Sequence, residues 1–505
     1  MAQTWSTFQE NVFNFVANGL GNAVINAVAG SGKTTTIVEC AKRIPRTKSV
    51  LFLAFNKSIA AELTQRLADY PNVICATSHS HGRRAICKGF GLPTLKENKY
   101  SSYIAQNIDV LSNIISSDTE DAIKRVYVRN VVNLFEKCRI NLIKANNFDA
   151  INAIAEHHSI EFEADEDKAV STLLETAYSI KRGDKIDYTD MLTLACTQFK
   201  RYVAKYDFVF VDECQDLSKA QRELMLLSLK PNGRFIAVGD RNQAINGFAG
   251  AGCDSFDLLS DLANNNELPL SVNYRCGKNI INLAQQIVPQ ITAFEGSGMG
   301  EVIDTKDLKA VKGGDMIVCR KTAPLVRLCL KMLANNIVAN VKGKDLGQNL
   351  VKLIEKLSPK NISFLFAKLD KELEKIRKQQ SAKGVKDIDN CTAVVAFQDK
   401  IECLQAFAET SKGIADLKRK IEFVFSDEQQ RNAVQLSTIH KAKGLEADNV
   451  FIIVPNKLPL VWKDQQAWEY QQEMNLKYVA ITRAKKKLYF VNLEEDELAK
   501  YEFTK

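Results

Sequence analysis

The segment AVAGSGKTTT, from Ala27 to Thr36, constrains this chain more than any other stretch. It follows an apolar run, Ala23 to Asn26, that reads as a buried strand, and it opens a helical pattern over Ile37 to Arg43. Gly30 and Gly32 allow a tight turn whose N–H groups converge, and the helix N-terminus behind them adds partial positive charge. A strand, a glycine turn and a helix in that order predict an anion cradle. In such a loop Lys33 reaches the β- and γ-phosphates of a nucleotide and Thr34 ligates Mg²⁺. The general pattern asks for Gly six residues before the lysine, and Ala27 stands there instead. The plainer alternative is an ordinary strand-to-helix turn.

A second segment supplies the opposite charge. FVFVDECQD is an apolar strand ending in adjacent carboxylates, Asp212 and Glu213. Two carboxylates at a strand end are costly unless they hold a cation or a water. Asp212 therefore reads as part of a Mg²⁺ shell and Glu213 as the general base for an attacking water. An acidic surface turn is the alternative when the motif stands alone. Phosphoryl transfer also needs positive charge on its transition state. Arg275 in LSVNYRCG and Arg483 in YVAITRAKKKLYF are candidates that spacing alone does not select.

AVINAVAG, VLFLAFN, YDFVFVDE and RFIAVGD read as buried parallel strands, and MIVCRK, VQLSTIH, NVFIIVP and KLYFVNL repeat the theme later. Alternation with helical patterns predicts an α/β class with two parallel sheets, helices on both faces. Residues 82–186 and 336–424 are helical in pattern. Within the latter, AKLDKELEKIRKQQ reads as a solvated helix or as a projecting hairpin. The twelve cysteines form no CxxC pair and only five histidines occur, which excludes zinc and iron–sulfur spacing and suits a reducing compartment. No basic start with an apolar core opens the chain, and no apolar run is long enough to span a bilayer. The net charge of +8 is compatible with a polyanionic partner without requiring one.

Taken together, TFQENV, AVAGSGKT, LAFNKSIAAEL, TSHS, DYTDML, VDECQD, VGDRNQAINGFAGA, NYRCG, VQLSTIHKAKGLEADNVFI and EMNLKYVAITRAKKKLY resemble, in order, the motifs of the superfamily 1A (UvrD/Rep) helicases. Within that family the chain is most similar to the F-box DNA helicase branch and small phage or bacterial relatives, with no F-box-like segment before the motor. The resemblance implies two RecA-like P-loop domains around one ATP site. Their expected extents are 1–81 with 187–268, and 269–335 with 425–505. Helical insertions are expected at 82–186 and, reduced, at 336–424.

The resemblance also assigns roles. Gln9 would read adenine, Tyr274 stack on it, and Glu446 contact the ribose. Ala29, Gly30, Ser31, Gly32, Lys33, Thr34 and Thr35 would cradle the phosphates of ATP, with Thr34 and Asp212 on Mg²⁺. Gln243 would sense the γ-phosphate, and Arg275 and Arg483 would act as arginine fingers. Phe55, Asn56, Lys57, Thr77, His79, Phe248, Thr438 and His440 match positions lining a DNA path. Phe248 keeps an aromatic face for stacking, although Asn246 and Ala249 replace its usual neighbours. The run Lys485 to Lys487 reads as solvated charge. The implied function is an ATP-dependent 3′–5′ translocase and helicase on single-stranded DNA and its junctions with duplex. The expected setting is replication, repair or recombination, in a bacterial cytoplasm, a phage-infected cell or a nucleus. The expected state is a monomer or weak dimer, with recombinase filaments or replication proteins as further partners. A protein-stripping translocase, an RNA motor and a non-hydrolysing scaffold are the alternatives.

Overall fold

The computed structural model describes residues 5–97, 99–107, 121–157, 160, 166–245, 254–382, 387–425, 432–463 and 465–503. They gather into two compact units. One comprises Met1–Ala27 and Gly32–Leu270, the other Val28–Ser31 and Ser271–Lys505.

The first unit is built on a six-stranded sheet of order β3-β2-β4-β5-β1-β6. Its strands are β1 (Ala23–Ala27), β2 (Val50–Ala54), β3 (Val73–Thr77), β4 (Tyr206–Val211), β5 (Leu229–Gly239) and β6 (Glu267–Leu270). All pairings are parallel, so the strand ends line up: Ala54 lies opposite Thr77, Leu53 opposite Val211, and Asn26 opposite Gly239. The period of two explains the continuous apolar runs. Along β2, Val50, Phe52 and Ala54 join one core, with Phe13, Ile37 and Phe210, while Leu51 and Leu53 join another, with Val209, Phe235 and Phe256.

Between β3 and β4 lies a mainly helical stretch. Helices Lys99–Gln106, Asp121–Ile140, Phe148–His157 and Glu166–Tyr178 close around a separate core that includes Leu134, Phe135, Val170 and Leu173. Helix Ser78–Phe90 runs across the expected boundary at residue 82. A buried ionic cluster ties this stretch to the helix Tyr188–Cys196. Arg139, fully buried, pairs with Asp187 at 2.8 Å, Asp190 at 3.0 Å and Glu136 at 3.0 Å. Lys99 reaches Asp190 at 3.1 Å and the Tyr100 hydroxyl donates to it at 3.0 Å. Asp187 and Asp190 also form the capping box of their helix, so the DYTD sequence holds both the helix start and the cluster. Burial lifts the Asp190 carboxyl above its ordinary value, and Arg139 opposes it.

The second unit carries its own six-stranded parallel sheet, order β11-β12-β10-β13-β14-β9, and a two-stranded ribbon, β7 (Val272–Asn273) with β8 (Thr292–Ala293). The sheet strands are β9 (Glu301–Thr305), β10 (Met316–Cys319), β11 (Ala339–Val341), β12 (Val434–Thr438), β13 (Ala447–Ile453) and β14 (Ala484–Val491). β11 falls inside 336–424, the stretch helical in pattern, and its three residues pair with β12. Among the described residues, the helices that follow, Lys344–Leu357, Ile362–Ala382, Thr392–Ala408 and Ile414–Val424, form no separate apolar cluster. Leu350, Leu369, Leu404, Phe407 and Ile421 share one cluster with Ile317, Leu436 and Phe451 of the sheet. Asp399 from this stretch accepts from the backbone N–H of Thr322 (2.9 and 2.8 Å) and Ala323 (2.7 Å). It thereby caps helix Ala323–Ala334, which has no cap from its own side chain.

Removing Arg139 would leave three carboxylates facing one another, with Lys99 paired to one of them. Arg139→Ala is expected to cost about 3–5 kcal/mol of unfolding free energy. Urea titration measures it, and an unchanged midpoint would show that the cluster does not hold the helical stretch.

Candidate active site

In a parallel sheet the carboxyl ends of the strands open on one edge, where loops are free to carry chemistry. In the first unit that edge divides. Lys33 and Thr34 follow β1, Asp212 and Glu213 follow β4, and Gln243 follows β5. These three strands are neighbours in the order β4-β5-β1. Phe55, Asn56 and Lys57 follow β2, and Thr77 and His79 follow β3, the adjacent pair at the sheet's other side.

The first group is bonded together. Thr34 Oγ1 donates to Asp212 Oδ2 at 3.1 Å, and the Glu213 N–H donates to Asp212 Oδ1 at 2.9 Å. Lys33 Nζ donates to the Ala27 carbonyl at 3.3 Å, folding back over the turn. Gly32, at φ +77°, is the left-handed residue that starts helix Lys33–Arg43, and Gly30 is left-handed too at φ +65°. Thr35 is half-buried and accepts from Arg66 at 3.4 Å. Glu213 itself sits at φ 53°, ψ 45°, an uncommon conformation for a residue with a side chain.

Sequence reasoning missed two residues here, Gln215 and Asp240. Gln215 Nε2 donates to Glu213 Oε2 at 2.5 Å, and its Oε1 accepts from the Asp240 N–H at 3.1 Å. Gln243 Nε2 in turn donates to Asp240 Oδ2 at 2.6 Å. A buried chain thus runs from Glu213 through Gln215 and Asp240 to Gln243. Gln215 lies three residues beyond Asp212 in DECQD and Asp240 three before Gln243, so polar residues after two buried strands were the available signal. Gln9 is buried, its carbonyl accepting from Ser6 and its amide donating to Thr36 Oγ1 at 3.1 Å. It ties helix Thr7–Asn18 to the helix after the glycine turn.

The residues fit a phosphate and a hard cation. Burial and then the Glu213 charge lift the Asp212 carboxyl to about 7, against the pull of Lys33. Burial likewise raises Asp240. Carboxylate and hydroxyl oxygens suit Mg²⁺, which keeps waters and phosphate oxygens for its other positions. Among the described residues no group of three or more His, Cys, Asp or Glu forms a metal cage. The Ser31 hydroxyl is buried in the turn with no hydrogen-bond partner among the described residues.

Val28–Ser31 cluster with the second unit. The Ala29 N–H donates to the Tyr478 hydroxyl at 2.9 Å, the Ala29 carbonyl accepts from Asn273 Nδ2 at 2.6 Å, and the Gly30 carbonyl accepts from the Tyr274 N–H at 2.9 Å. Glu446, just before β13, pairs with Arg275 and with Lys485, each at 2.6 Å. Partial burial works to raise its carboxyl, but Lys485 and Arg275 hold it below its ordinary value. Arg483 is buried and its guanidinium donates to the carbonyls of Val479 (2.9 Å) and Leu445 (3.1 Å) and to Thr482 Oγ1 (3.1 Å). Lys485, Lys486 and Lys487 each face a carboxylate: Glu446, Asp448 and Glu301.

The residues matched to a DNA path divide by chemistry. Phe55 is exposed by 48% and Lys57 is exposed. Asn56, Thr77 and Thr438 are helix N-caps, accepting from the N–H of Ile59, Ser80 and Lys441. His79 lies edge-on to Tyr188 at 6.5 Å, and burial lowers its imidazole below the ordinary histidine value. Burial, with Arg320 and Lys441, holds His440 down to about 3. Phe248 falls outside the described residues.

With this geometry in place, comparison with known proteins gives a consistent result. The sequence model of the UvrD/REP helicase N-terminal domain matches residues 6–264, just over half of the chain. That of the UvrD-like helicase C-terminal domain matches residues 348–495. The chain belongs to the UvrD/Rep helicase family. A probable DNA helicase II homolog of Mycoplasma pneumoniae is 24% identical over 95% of this chain and 83% of its own length. The ATP-dependent DNA helicase Rep of Buchnera aphidicola is 22% identical over 93% of this chain and 91% of its own. An arterivirus nonstructural protein 10 helicase solved with DNA shares 11% identity at a TM-score of 0.36, over 97% of this chain and 66% of that one. Two parallel-sheet units with helical additions are thus the UvrD-like α/β fold. No helix among the described residues is long and apolar enough to cross a membrane.

Asp212 also sets a pH dependence. A carboxyl whose folded pKa exceeds the unfolded value of about 3.9 favours the fold at low pH and loses that contribution as pH rises. With Asp212 lifted to about 7, the loss runs upward from the unfolded value to that point. In EDTA the thermal midpoint is therefore expected to fall across this window more steeply in the wild type than in Asp212→Asn. Parallel midpoint–pH profiles for the two proteins would rule out the burden on Asp212.

Proposed function

We propose that this chain is an ATP-dependent DNA helicase that moves 3′ to 5′ along single-stranded DNA. The observation that carries the reading is the Thr34–Asp212–Glu213 group, bonded to Gln243 through Gln215 and Asp240, beside a glycine turn. Lys33 would neutralise the β- and γ-phosphates, and Thr34 and Asp212 would hold Mg²⁺, which when bound supplies charge to those phosphates. Glu213 takes the proton as water attacks the γ-phosphorus and ADP leaves, and Gln215 holds the carboxylate at the required angle. Arg275 and Arg483 contribute positive charge to the transition state, each after leaving its present partners.

The names of the relatives, among them an ATP-dependent DNA helicase, favour DNA as the track. Exposed Phe55 offers a stacking face, and the loops after β2 and β3 would follow the strand's phosphates. Hydrolysis becomes movement only where nucleotide states differ in their grip on the strand. Polarity follows the family resemblance, and replication, repair and recombination are the processes it suits.

Lys33→Ala is expected to lower single-strand-stimulated ATP turnover by at least about 100-fold, and Glu213→Gln to do so while still binding ATP. Phosphate release and nucleotide titration measure the two. Near-normal turnover in Lys33→Ala would remove the site. Wild-type protein should unwind a 3′-tailed duplex and not a 5′-tailed one; the reverse preference would overturn the polarity.

DNA affinity is expected to fall log-linearly with salt, because each phosphate contact releases counterions. Fluorescence anisotropy at several salt concentrations measures the slope. A flat response would contradict a groove that tracks the backbone.

A further inference from the structure

The β7–β8 ribbon sets two aromatic side chains side by side. Val272 pairs with Thr292 and Asn273 with Ala293, so the next residue on each strand, Tyr274 and Phe294, emerges at the same level. The Phe294 N–H donates to the Asn273 carbonyl at 2.9 Å and fixes that level. The ring centroids are 5.1 Å apart with 42° between planes, and both rings are exposed, by 39% and 45%. An exposed aromatic pair in a fixed frame is a surface still to be covered.

The pair lines a cavity of about 500 Å³ whose other walls include Ser297, Arg275, Lys485 and Lys486. The glycine-rich loop is pinned, the carbonyls of Gly298 and Met299 accepting from the N–H groups of Lys278 and Asn279. Two adjacent ring faces suit a flat aromatic ligand, while the cations of the wall are already balanced, Arg275 and Lys485 by Glu446 and Lys486 by Asp448, which also lines the cavity. Gln9, the residue assigned to adenine, has its carbonyl and its amide engaged by Ser6 and Thr36.

We propose that Phe294 is a second base-binding residue, forming with Tyr274 a stacking platform for the nucleobase of the nucleoside triphosphate. The proposal rests on the function above, in which Tyr274 meets the base. Stacking does not read base edges, so the contribution of Phe294 is the same for guanine as for adenine.

Phe294→Ala and Phe294→Leu are each expected to raise KM for ATP about 5- to 50-fold, with kcat within about twofold, and to raise KM for GTP by the same factor. Leucine keeps the apolar bulk and loses the aromatic face, and a thermal melt of each variant confirms the fold. Tyr274→Ala is the control. If it raises KM while both Phe294 variants leave KM unchanged, Phe294 is not in the platform and the proposed function stands. If ATP and GTP respond unequally, an edge-reading group is present and stacking alone is overturned. Wild-type turnover of ATP in Lys33→Ala would bring down the function itself, whatever Phe294 does.

Discussion

A carboxylate buried at the end of a parallel strand is tolerable only with compensation, and Asp212 has three sources of it. Its oxygens accept from the Thr34 hydroxyl and the Glu213 N–H, and Lys33 lies close enough to oppose the Glu213 charge. These bonds cross-link the turn after β1 to the end of β4 and place the two halves of the proposed phosphoryl-transfer site in one frame. The left-handed backbone at Glu213 belongs to the same arrangement, because it turns the chain out of β4 so that Gln215 can reach back to the Glu213 carboxylate. Strain of this kind persists only where the surroundings over-determine it. Here the chain through Gln215, Asp240 and Gln243 does so.

On the other side of the same edge, residues matched to a DNA path serve the architecture itself. Thr77 ends β3 and caps the next helix, Thr438 does the same for β12, and Asn56, two residues beyond β2, caps the helix that follows it. A cap fixes the direction in which the following N–H groups point, and such groups suit phosphate oxygens. Helix stability limits the substitutions these positions tolerate, and under the proposed function ligand geometry would limit them again.

The eight strands legible in the sequence are the interior strands of the two sheets. The four left unread, β3, β6, β9 and β11, are the sheet edges. Interior parallel strands are buried on both faces and write an unbroken apolar run. Edge strands do not: Glu301–Thr305 is mostly exposed, Glu267–Leu270 contains a proline, and Ala339–Val341 is three residues long. The site divides in the same way. Lys33, Thr34, Asp212 and Glu213 were legible because each follows an interior strand. Gln215 and Asp240 act by bridging between loops, and no spacing in the sequence announces a bridge. The commitments of Arg483 to carbonyls and of Glu446 to Arg275 and Lys485 depend on tertiary neighbours and were equally invisible.

The two helical stretches are attached by different physics. The first encloses its own apolar interior and meets the rest through a knot of charges around Arg139. The second, among the described residues, forms no separate interior: its leucines and Phe407 complete the oil beneath the second sheet, and its Asp399 finishes a helix of that sheet's layer. Lineages of this chain can therefore lengthen, shrink or exchange the first stretch as a cassette, provided the knot is kept. In the second, a deletion that removed these side chains would open the floor of the sheet that carries Thr438 and Arg483, so any shortening there has to spare them.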